Sequence, residues 1–195
     1  MRRITALSVI ALYASLSAFV ATDALAQVKP KAPITHVEAH VQLRDAVAKA
    51  HAANKGVLVK FSASWCGPCH AFDRFLYDTT GVGAIMQKHF VIVGLTVLEM
   101  PPMDSLNTKG GLQLAKEMGG ELEGSTGIPY FFMVDGNGKR LGDSNSMPDS
   151  SNTGHPEAAI EVQSFDKLLV RTAPRMTEDE RARIKTFLDR MAGRR

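Results

Sequence analysis

The chain has 195 residues, of which 45% are hydrophobic and 22% are charged. This is the composition of an ordinary globular protein, and it excludes a fibrous or wholly disordered chain. The formal net charge is only +3 and no long run of one sign occurs, which argues against a nucleic-acid-binding protein because phosphate binding needs a concentrated basic surface.

The N-terminal segment has the pattern of an export signal. Two arginines precede an uncharged stretch over residues 4–22, and residues 24–26 (Ala-Leu-Ala) offer the small side chains of a cleavage site. We therefore predict a cleaved signal peptide over residues 1–26 and a bacterial periplasmic location for the mature protein. The alternative is an uncleaved membrane anchor, because the uncharged stretch is nearly as long as the ~20 residues that span a bilayer.

The rest of the chain is predicted to form one domain over residues 36–195, after a short Lys/Pro-rich linker over residues 27–35. Within the domain, the spacing of apolar residues marks helices and strands that largely alternate. In chain order, we predict a helix at 36–54, a strand at 57–61, a helix through 71–77, a strand at 90–97, a helix at 112–118, a strand at 130–134, a hairpin turn at 135–138 and helices at 157–171 and 178–191. Strands separated by helices indicate an α/β fold with helices packed on a sheet.

Two segments carry further local predictions. Thr177 and Glu180 have the spacing of a capping box at the start of the last helix. We expect that helix to dock on the domain through its apolar stripe. Residues 142–154 are rich in Ser, Asn and Asp, which predicts an exposed loop, and the sequence does not indicate its role.

The chain contains two cysteines, Cys66 and Cys69. A disulfide that stabilises a fold by restricting the unfolded chain closes a long loop. A gap of two residues closes almost no loop, so the pair is better explained by chemistry than by stabilisation.

The segment Cys66-Gly67-Pro68-Cys69 follows a predicted strand and opens a helix. At a helix N-terminus, unpaired N–H groups and the positive end of the dipole favour a thiolate and lower the pKa of a cysteine. Gly67 leaves the first sulfur uncovered, and Pro68 fits the first helical turn. We predict that Cys66 is the nucleophile and that Cys69 resolves the mixed disulfide.

Residues 61–69, Phe-Ser-Ala-Ser-Trp-Cys-Gly-Pro-Cys, resemble the active-site segment of the thioredoxin family, and Gly127-Ile128-Pro129 before a strand is a second matching element. The resemblance covers about residues 36–170. It implies a thioredoxin-like fold, a central mixed sheet flanked by helices, here with an additional C-terminal helix. It also implies that the bond between Ile128 and Pro129 is cis and faces the cysteines, and that these two residues bind substrate.

Lys60 departs from the family pattern. Thioredoxins usually have a buried aspartate at this position, six residues before the first cysteine, and Gly94 falls where they tend to have a lysine on the next strand. Two interpretations stay open. Lys60 is either a cation behind the site that stabilises the thiolate and makes the pair more oxidising, or a side chain that extends to solvent.

Two residues next to the motif are further candidates for the site. Trp65 is expected to form a flat apolar wall beside the thiolate. His70 is a candidate for tuning the cysteines or moving protons, although a helix-surface histidine often does neither.

His36 and His40 have the spacing of a shared metal site, but no third ligand is evident. We therefore expect no metal and no cofactor other than the redox-active Cys66–Cys69 disulfide.

These features predict a thiol–disulfide oxidoreductase that acts on protein substrates and serves redox homeostasis, in either the reducing or the oxidising direction. The expected partners are protein thiols and disulfides and a membrane redox protein, with no nucleic acid, and we expect a monomer. One alternative is a non-catalytic binding or chaperone module in which the disulfide is incidental. Another is a maturation factor for cytochrome c or copper centres, although such factors usually bring insertions or metal-spaced Cys and His that the sequence lacks.

Overall fold

The computed structural model describes residues 38–78 and 81–193. The predicted signal peptide and linker, and His36, lie outside these residues. The described helices are α1 (Ala39–Ala53), α2 (Gly67–Tyr77), α3 (Val82–His89), α4 (Gly111–Glu117), α5 (Ala159–Thr172) and α6 (Glu178–Ala192), and the strands are β1 (Gly56–Ser62), β2 (Phe90–Thr96), β3 (Tyr130–Val134) and β4 (Arg140–Asp143). In this part of the chain, no helix is both long enough and apolar enough to cross a membrane.

The four strands form one mixed sheet in the order β2-β1-β3-β4. Strand β1 runs parallel to β2 and antiparallel to β3, and β4 runs antiparallel to β3. The predicted fold class, a central mixed sheet flanked by helices with extra C-terminal helical structure, is confirmed. Strand β1 therefore lies inside the sheet, which explains why it is a short apolar run with Lys60 as its one charged residue.

Alternate residues of β1 supply two separate cores. Leu58 joins an aromatic core beneath α2, α3, α5 and α6, whereas Val57, Val59 and Phe61 join the core beneath α1 and α4. Because successive side chains of a strand point to opposite faces, Lys60 belongs with Leu58 on the α2 side. A charged residue thus occupies a core position next to the helix that carries the cysteines.

Helix α3 is not among the elements that the sequence analysis predicted. Its apolar side chains Val82, Ile85 and Met86 are buried in the aromatic core. The helix spans eight residues and contains Gly83 near its start. A pattern this short, with a glycine that disfavours helix, leaves too little periodicity to detect.

Residues 142–154 are not the wholly exposed loop that their composition predicts. Asp143, Ser144 and Thr153 are buried. Ser144 extends the pairing with β3, since its N–H donates to the Phe131 carbonyl at 2.8 Å and its Oγ accepts from the Phe131 N–H at 3.1 Å. Polar residues can be buried where they satisfy backbone groups, and composition alone does not reveal this.

Helix α6 begins with the capping box that Thr177 and Glu180 predict. The Glu180 carboxylate also accepts hydrogen bonds from Lys88 Nζ at 2.7 Å and His89 Nε2 at 3.0 Å, at the end of α3. The bond from Lys88, assisted by the Thr177 N–H and by His89, lowers the pKa of Glu180 from 4.5 to about 2. One carboxylate thus joins α6 to the rest of the domain.

We expect Glu180→Gln to lower the free energy of unfolding by about 1 kcal/mol near neutral pH, the modest size reflecting solvent screening at a partly hydrated site. Because the folded pKa of Glu180 lies below 4.5, its contribution is fully present above 4.5 and is lost as pH falls towards about 2. Denaturant unfolding at about pH 3 should therefore show a smaller difference in the free energy of unfolding between the variant and wild type. Glu178→Gln, in the same helical turn, is the control, and an equal effect of both variants would contradict the anchoring role.

Candidate active site

The two cysteines lie at the N-terminus of α2, just beyond the end of β1. Cys66 is the N-cap of the helix, and its Sγ accepts a hydrogen bond from the Cys69 N–H at 3.2 Å. The two residues are joined by a disulfide with their Cα atoms 5.2 Å apart. Both are nearly buried, at 3% and 1% exposure. The helix dipole and the free N–H groups of the first turn thus act on the sulfur of Cys66.

Gly67 and Pro68 form the exposed bend between the cysteines. A Cβ added at Gly67 would meet no atom within 4 Å, so the space over this bend is open. Pro68 lies in the first helical turn, where its missing N–H costs no hydrogen bond. The bend therefore leaves an open surface next to the nearly buried disulfide.

The Gly127-Ile128-Pro129 segment borders the disulfide on another side. The Ile128 carbonyl oxygen lies 3.8 Å from Cys66 Sγ, and the Ile128 side chain packs against Ala63 and both cysteines. The bond between Ile128 and Pro129 is cis, as the resemblance implies. Its backbone is thus placed beside the sulfur of Cys66, while a role in binding substrate stays a prediction.

Trp65 stands at the rim of the site with 55% of its surface exposed. Its Nε1 donates to the Leu98 carbonyl at 2.9 Å. The adjoining Glu99 is buried and accepts hydrogen bonds from the Ser64 N–H and, at 2.7 Å, from Ser64 Oγ. The indole is therefore held in place by the loop after β2 rather than by burial in the core.

Lys60 is 4% exposed and does not extend to solvent. Its Nζ lies 2.6 Å from Asp73 Oδ1 and donates to Ser62 Oγ at 3.1 Å. Gly94 lies opposite it in the parallel register, where a Cβ would come within 3.4 Å of Lys60 Cε, so this glycine makes room for the lysine side chain. The strand packed against α2 thus carries a buried lysine, and this lysine has a counter-charge on the helix that carries the cysteines.

Asp73 was not among the predicted site residues. It lies four residues after Cys69 on α2, so the two side chains are neighbours on one helix face. The nearby Tyr77 has a raised pKa because it is partly buried and faces the Asp73 carboxylate. The sequence shows only this helical spacing between Cys69 and Asp73. It indicates a role for Asp73 only when the structure shows that Lys60 points towards α2.

The chain matches the Thioredoxin-like family model over residues 38–136, just over half of its length. It belongs to the thioredoxin-like family. Its fold is that of the family's thiol–disulfide oxidoreductases, and Cys66 and Cys69 form a pair at disulfide distance that fits the Cys-x-x-Cys site.

Several solved structures resemble this thioredoxin-like chain at low sequence identity. A disulphide isomerase from Xylella fastidiosa Temecula1 is 23% identical with a TM-score of 0.47, over 80% of this chain and 93% of that one. The C-terminal domain of Neisseria meningitidis DsbD in the oxidised form is 23% identical with a TM-score of 0.37, over 54% and 82%. A thiol:disulfide interchange protein from Chlorobium tepidum TLS is 20% identical with a TM-score of 0.38, over 64% and 84%. No curated protein matches the chain.

His70 lies on the exposed side of α2 in this thioredoxin-like domain. Its Nε2 is 2.8 Å from the carbonyl oxygen of Ser64, to which the ring N–H donates. The histidine therefore braces the turn that leads into Cys66. Whether it also tunes the cysteines stays a prediction.

Residues 100–103, Met-Pro-Pro-Met, form a loop that we call the methionine–proline loop, and the sequence did not indicate that it lies near the cysteines. Met100 and Met103 are 65% and 44% exposed. The loop follows Leu98 and Glu99, which hold Trp65 and Ser64, so it adjoins the rim of the site. Two methionines that flank a pair of prolines were the signal available in the sequence.

The thioredoxin-like domain was not predicted to bind a metal through His36 and His40. Across residues 38–78 and 81–193, no group of three or more His, Cys, Asp or Glu side chains could hold a metal ion. His40 is paired instead with Glu117, at 2.9 Å.

Proposed function

We propose that the protein is a thiol–disulfide oxidoreductase that acts on cysteine-containing polypeptides. The observation that supports it most strongly is the Cys66–Cys69 disulfide at the N-terminus of α2, with the backbone of Ile128 beside it. A redox-active pair needs a stabilised thiolate, a second thiol one helical turn away and a surface for the substrate chain. The helix N-terminus at Cys66, the position of Cys69 and the backbone of Ile128 support these three requirements in turn.

In the reducing direction, the Cys66 thiolate attacks a substrate disulfide and forms a mixed disulfide, and one substrate thiolate leaves. The Cys69 thiolate then attacks Cys66 Sγ, which closes the Cys66–Cys69 disulfide and releases the second substrate thiolate. Two electrons pass from the protein to the substrate. The same steps in reverse oxidise a substrate dithiol, and the potential of the pair relative to its partners sets the direction.

Cys66 is the better candidate for the first attack because its Sγ accepts the Cys69 N–H at the helix N-terminus. A negative charge that develops on this sulfur is stabilised by that bond and by the dipole. Both cysteines are nearly buried, but Cys69 lies within the first turn of α2, behind the N-cap Cys66. It can reach Cys66 Sγ without meeting the substrate, which suits a resolving thiol.

Polypeptide substrates are supported by the apolar surface beside the disulfide. Trp65 and the methionine–proline loop place exposed apolar side chains at its rim. Exposed apolar patches mark interaction sites, and methionines adapt to side chains of different shape. Cysteines in unfolded segments with apolar neighbours are the substrates that this surface would favour.

We further propose that the protein works in the bacterial periplasm and exchanges electrons with a membrane redox protein. The support is the signal-like pattern of residues 1–26. An exported dithiol pair needs a partner that restores its redox state after each turnover.

The proposal is tested by exchange with a disulfide-bonded unfolded polypeptide, compared with oxidised glutathione. Wild type should react with both, and Met100→Ser/Met103→Ser should raise the KM for the polypeptide about five- to tenfold while glutathione is unaffected. Val170→Ser, which alters an exposed apolar residue of α5, is the control. A wild-type protein that does not react with the polypeptide would overturn the proposed function. If the double methionine variant had the wild-type KM for the polypeptide, the methionine–proline loop would have no role in substrate binding.

A further inference from the structure

Asn152 connects residues 142–154 to the segment that borders the disulfide. Its Nδ2 donates to the Thr126 carbonyl at 2.9 Å and to the Pro129 carbonyl at 3.1 Å. Its Oδ1 accepts from the Gly154 N–H at 2.9 Å. A single amide thus holds the backbone on both sides of Ile128.

The segment that carries Asn152 is itself fixed on two sides. The Thr153 N–H donates to the Ser144 carbonyl at 2.7 Å, and Ser144 is bound to β3. The buried His155 ring packs against Phe72 of α2, with ring centres 5.9 Å apart. The residues that follow Asn152 are therefore held both to the sheet and to the helix that carries the cysteines.

Gly154 sets the backbone turn that follows Asn152. Its φ of +54° is a conformation that residues other than glycine rarely adopt. A Cβ at this position would meet Pro129 Cδ at an ordinary contact distance of 3.7 Å, so the backbone conformation rather than the space calls for glycine. The turn thus places the Asn152 amide within reach of both carbonyls.

Ile128 carries the groups that Asn152 positions. Its carbonyl oxygen is 3.8 Å from Cys66 Sγ. Among the backbone hydrogen bonds of the described residues, none uses the Ile128 N–H. An extended polypeptide beside the disulfide would find a donor and an acceptor here, in the manner of an added strand. Their distance from Cys66 then decides whether the substrate sulfur is in line for attack.

We propose that Asn152 is a positioning residue for polypeptide substrates. Its two donated hydrogen bonds keep the Ile128 backbone at a fixed place beside Cys66, so that a bound chain presents its sulfur to the nucleophile. This inference rests on the proposed function, since it names how that site receives its substrate. It also assigns a role to residues 142–154, which the sequence left without one.

The test compares Asn152→Ala with Asn145→Ala. Asn145 lies in the same segment and also donates through Nδ2 to a backbone carbonyl, that of Gly119 at 3.0 Å, but it does not contact residues 126–129 through this bond. We expect Asn152→Ala to lower kcat/KM for the disulfide-bonded polypeptide about tenfold, mainly through KM, because docking is weakened while the sulfur chemistry is kept. The rate with oxidised glutathione and the redox potential should stay at wild-type values, and Asn145→Ala should match wild type throughout.

Asn152→Asp keeps the inference testable if the alanine variant folds poorly. Aspartate has nearly the same shape and still accepts from the Gly154 N–H, but its carboxylate donates no hydrogen bond. It should therefore show the same loss with the polypeptide. Asn152 variants that behave like Asn145→Ala, or that slow both substrates equally, would overturn the inference while the proposed function stands. A wild-type protein that does not react with the polypeptide would overturn both.

Discussion

Cys66→Ser is expected to abolish exchange with polypeptide disulfides, by at least about 10³-fold, because it removes the nucleophile. Cys69→Ser keeps the nucleophile but removes the thiol that resolves the mixed disulfide. Incubation of reduced Cys69→Ser with a disulfide-bonded polypeptide should therefore leave a covalent complex joined through Cys66. Mass spectrometry under non-reducing conditions measures that complex directly.

The double variant Cys66→Ser/Cys69→Ser is the control and should form no complex. A complex formed by Cys66→Ser but not by Cys69→Ser would mean that Cys69 is the nucleophile and Cys66 the resolving thiol. If Cys66→Ser retained the biological function of the wild type, the domain would be a binding module with an incidental disulfide.

Asp73→Asn is expected to lower the free energy of unfolding by about 2–4 kcal/mol, because it leaves the Lys60 ammonium buried without a counter-charge. The Lys60 side chain is 5% exposed, whereas that of Asp73 is 34% exposed, so water moderates the loss. Lys60→Met should cost less, and Lys60→Met/Asp73→Asn should recover most of the stability lost in Asp73→Asn. Denaturant unfolding of the three variants gives the coupling between the two side chains.

Asp166→Asn is the matched control, since it removes a carboxylate from an ion pair nearer the surface, with Arg181 Nε at 3.4 Å. It should cost less than about 1 kcal/mol. An Asp73→Asn variant as stable as Asp166→Asn would show that the buried pair contributes nothing specific.

The same variants decide whether Lys60 acts on the cysteines. An uncompensated cation favours the reduced form, which carries a thiolate, so Asp73→Asn should make the pair more oxidising and Lys60→Met should make it more reducing. The double variant should lie near wild type. If all three share the wild-type potential, the ion pair is structural and the sequence-based interpretation of Lys60 as a redox-tuning cation is wrong.

The parts of the fold that the sequence predicted are those with strong local patterns. The apolar runs of β1 and β2 and the helix that opens at the cysteines were recognisable, because local periodicity and the motif both pointed to them. The capping box of Thr177 and Glu180 is a fixed local spacing and was confirmed. Helix α3 was missed because eight residues with a glycine carry too little periodicity.

The contacts that shape the site depend on tertiary structure and could not be predicted in this way. Lys60 meets Asp73 only because β1 packs beneath α2, and no spacing along the chain encodes that approach. Asn152 reaches the carbonyls of Thr126 and Pro129 across more than 20 residues of sequence. Its neighbours in the sequence are rich in Ser and Asn, a composition typical of an exposed loop, and it does not indicate these hydrogen bonds.

The most direct test of the central claim is a redox titration of the Cys66–Cys69 pair. The protein is equilibrated with glutathione buffers of graded potential, and the reduced fraction is measured by thiol alkylation and mass spectrometry. A redox-active pair should show one reversible two-electron transition in the range of about −270 to −120 mV that spans reducing and oxidising members of this chemistry. A disulfide that stays closed at every potential in that range, or a pair that never forms one reversibly, would contradict the assignment of this site as a thiol–disulfide exchange centre.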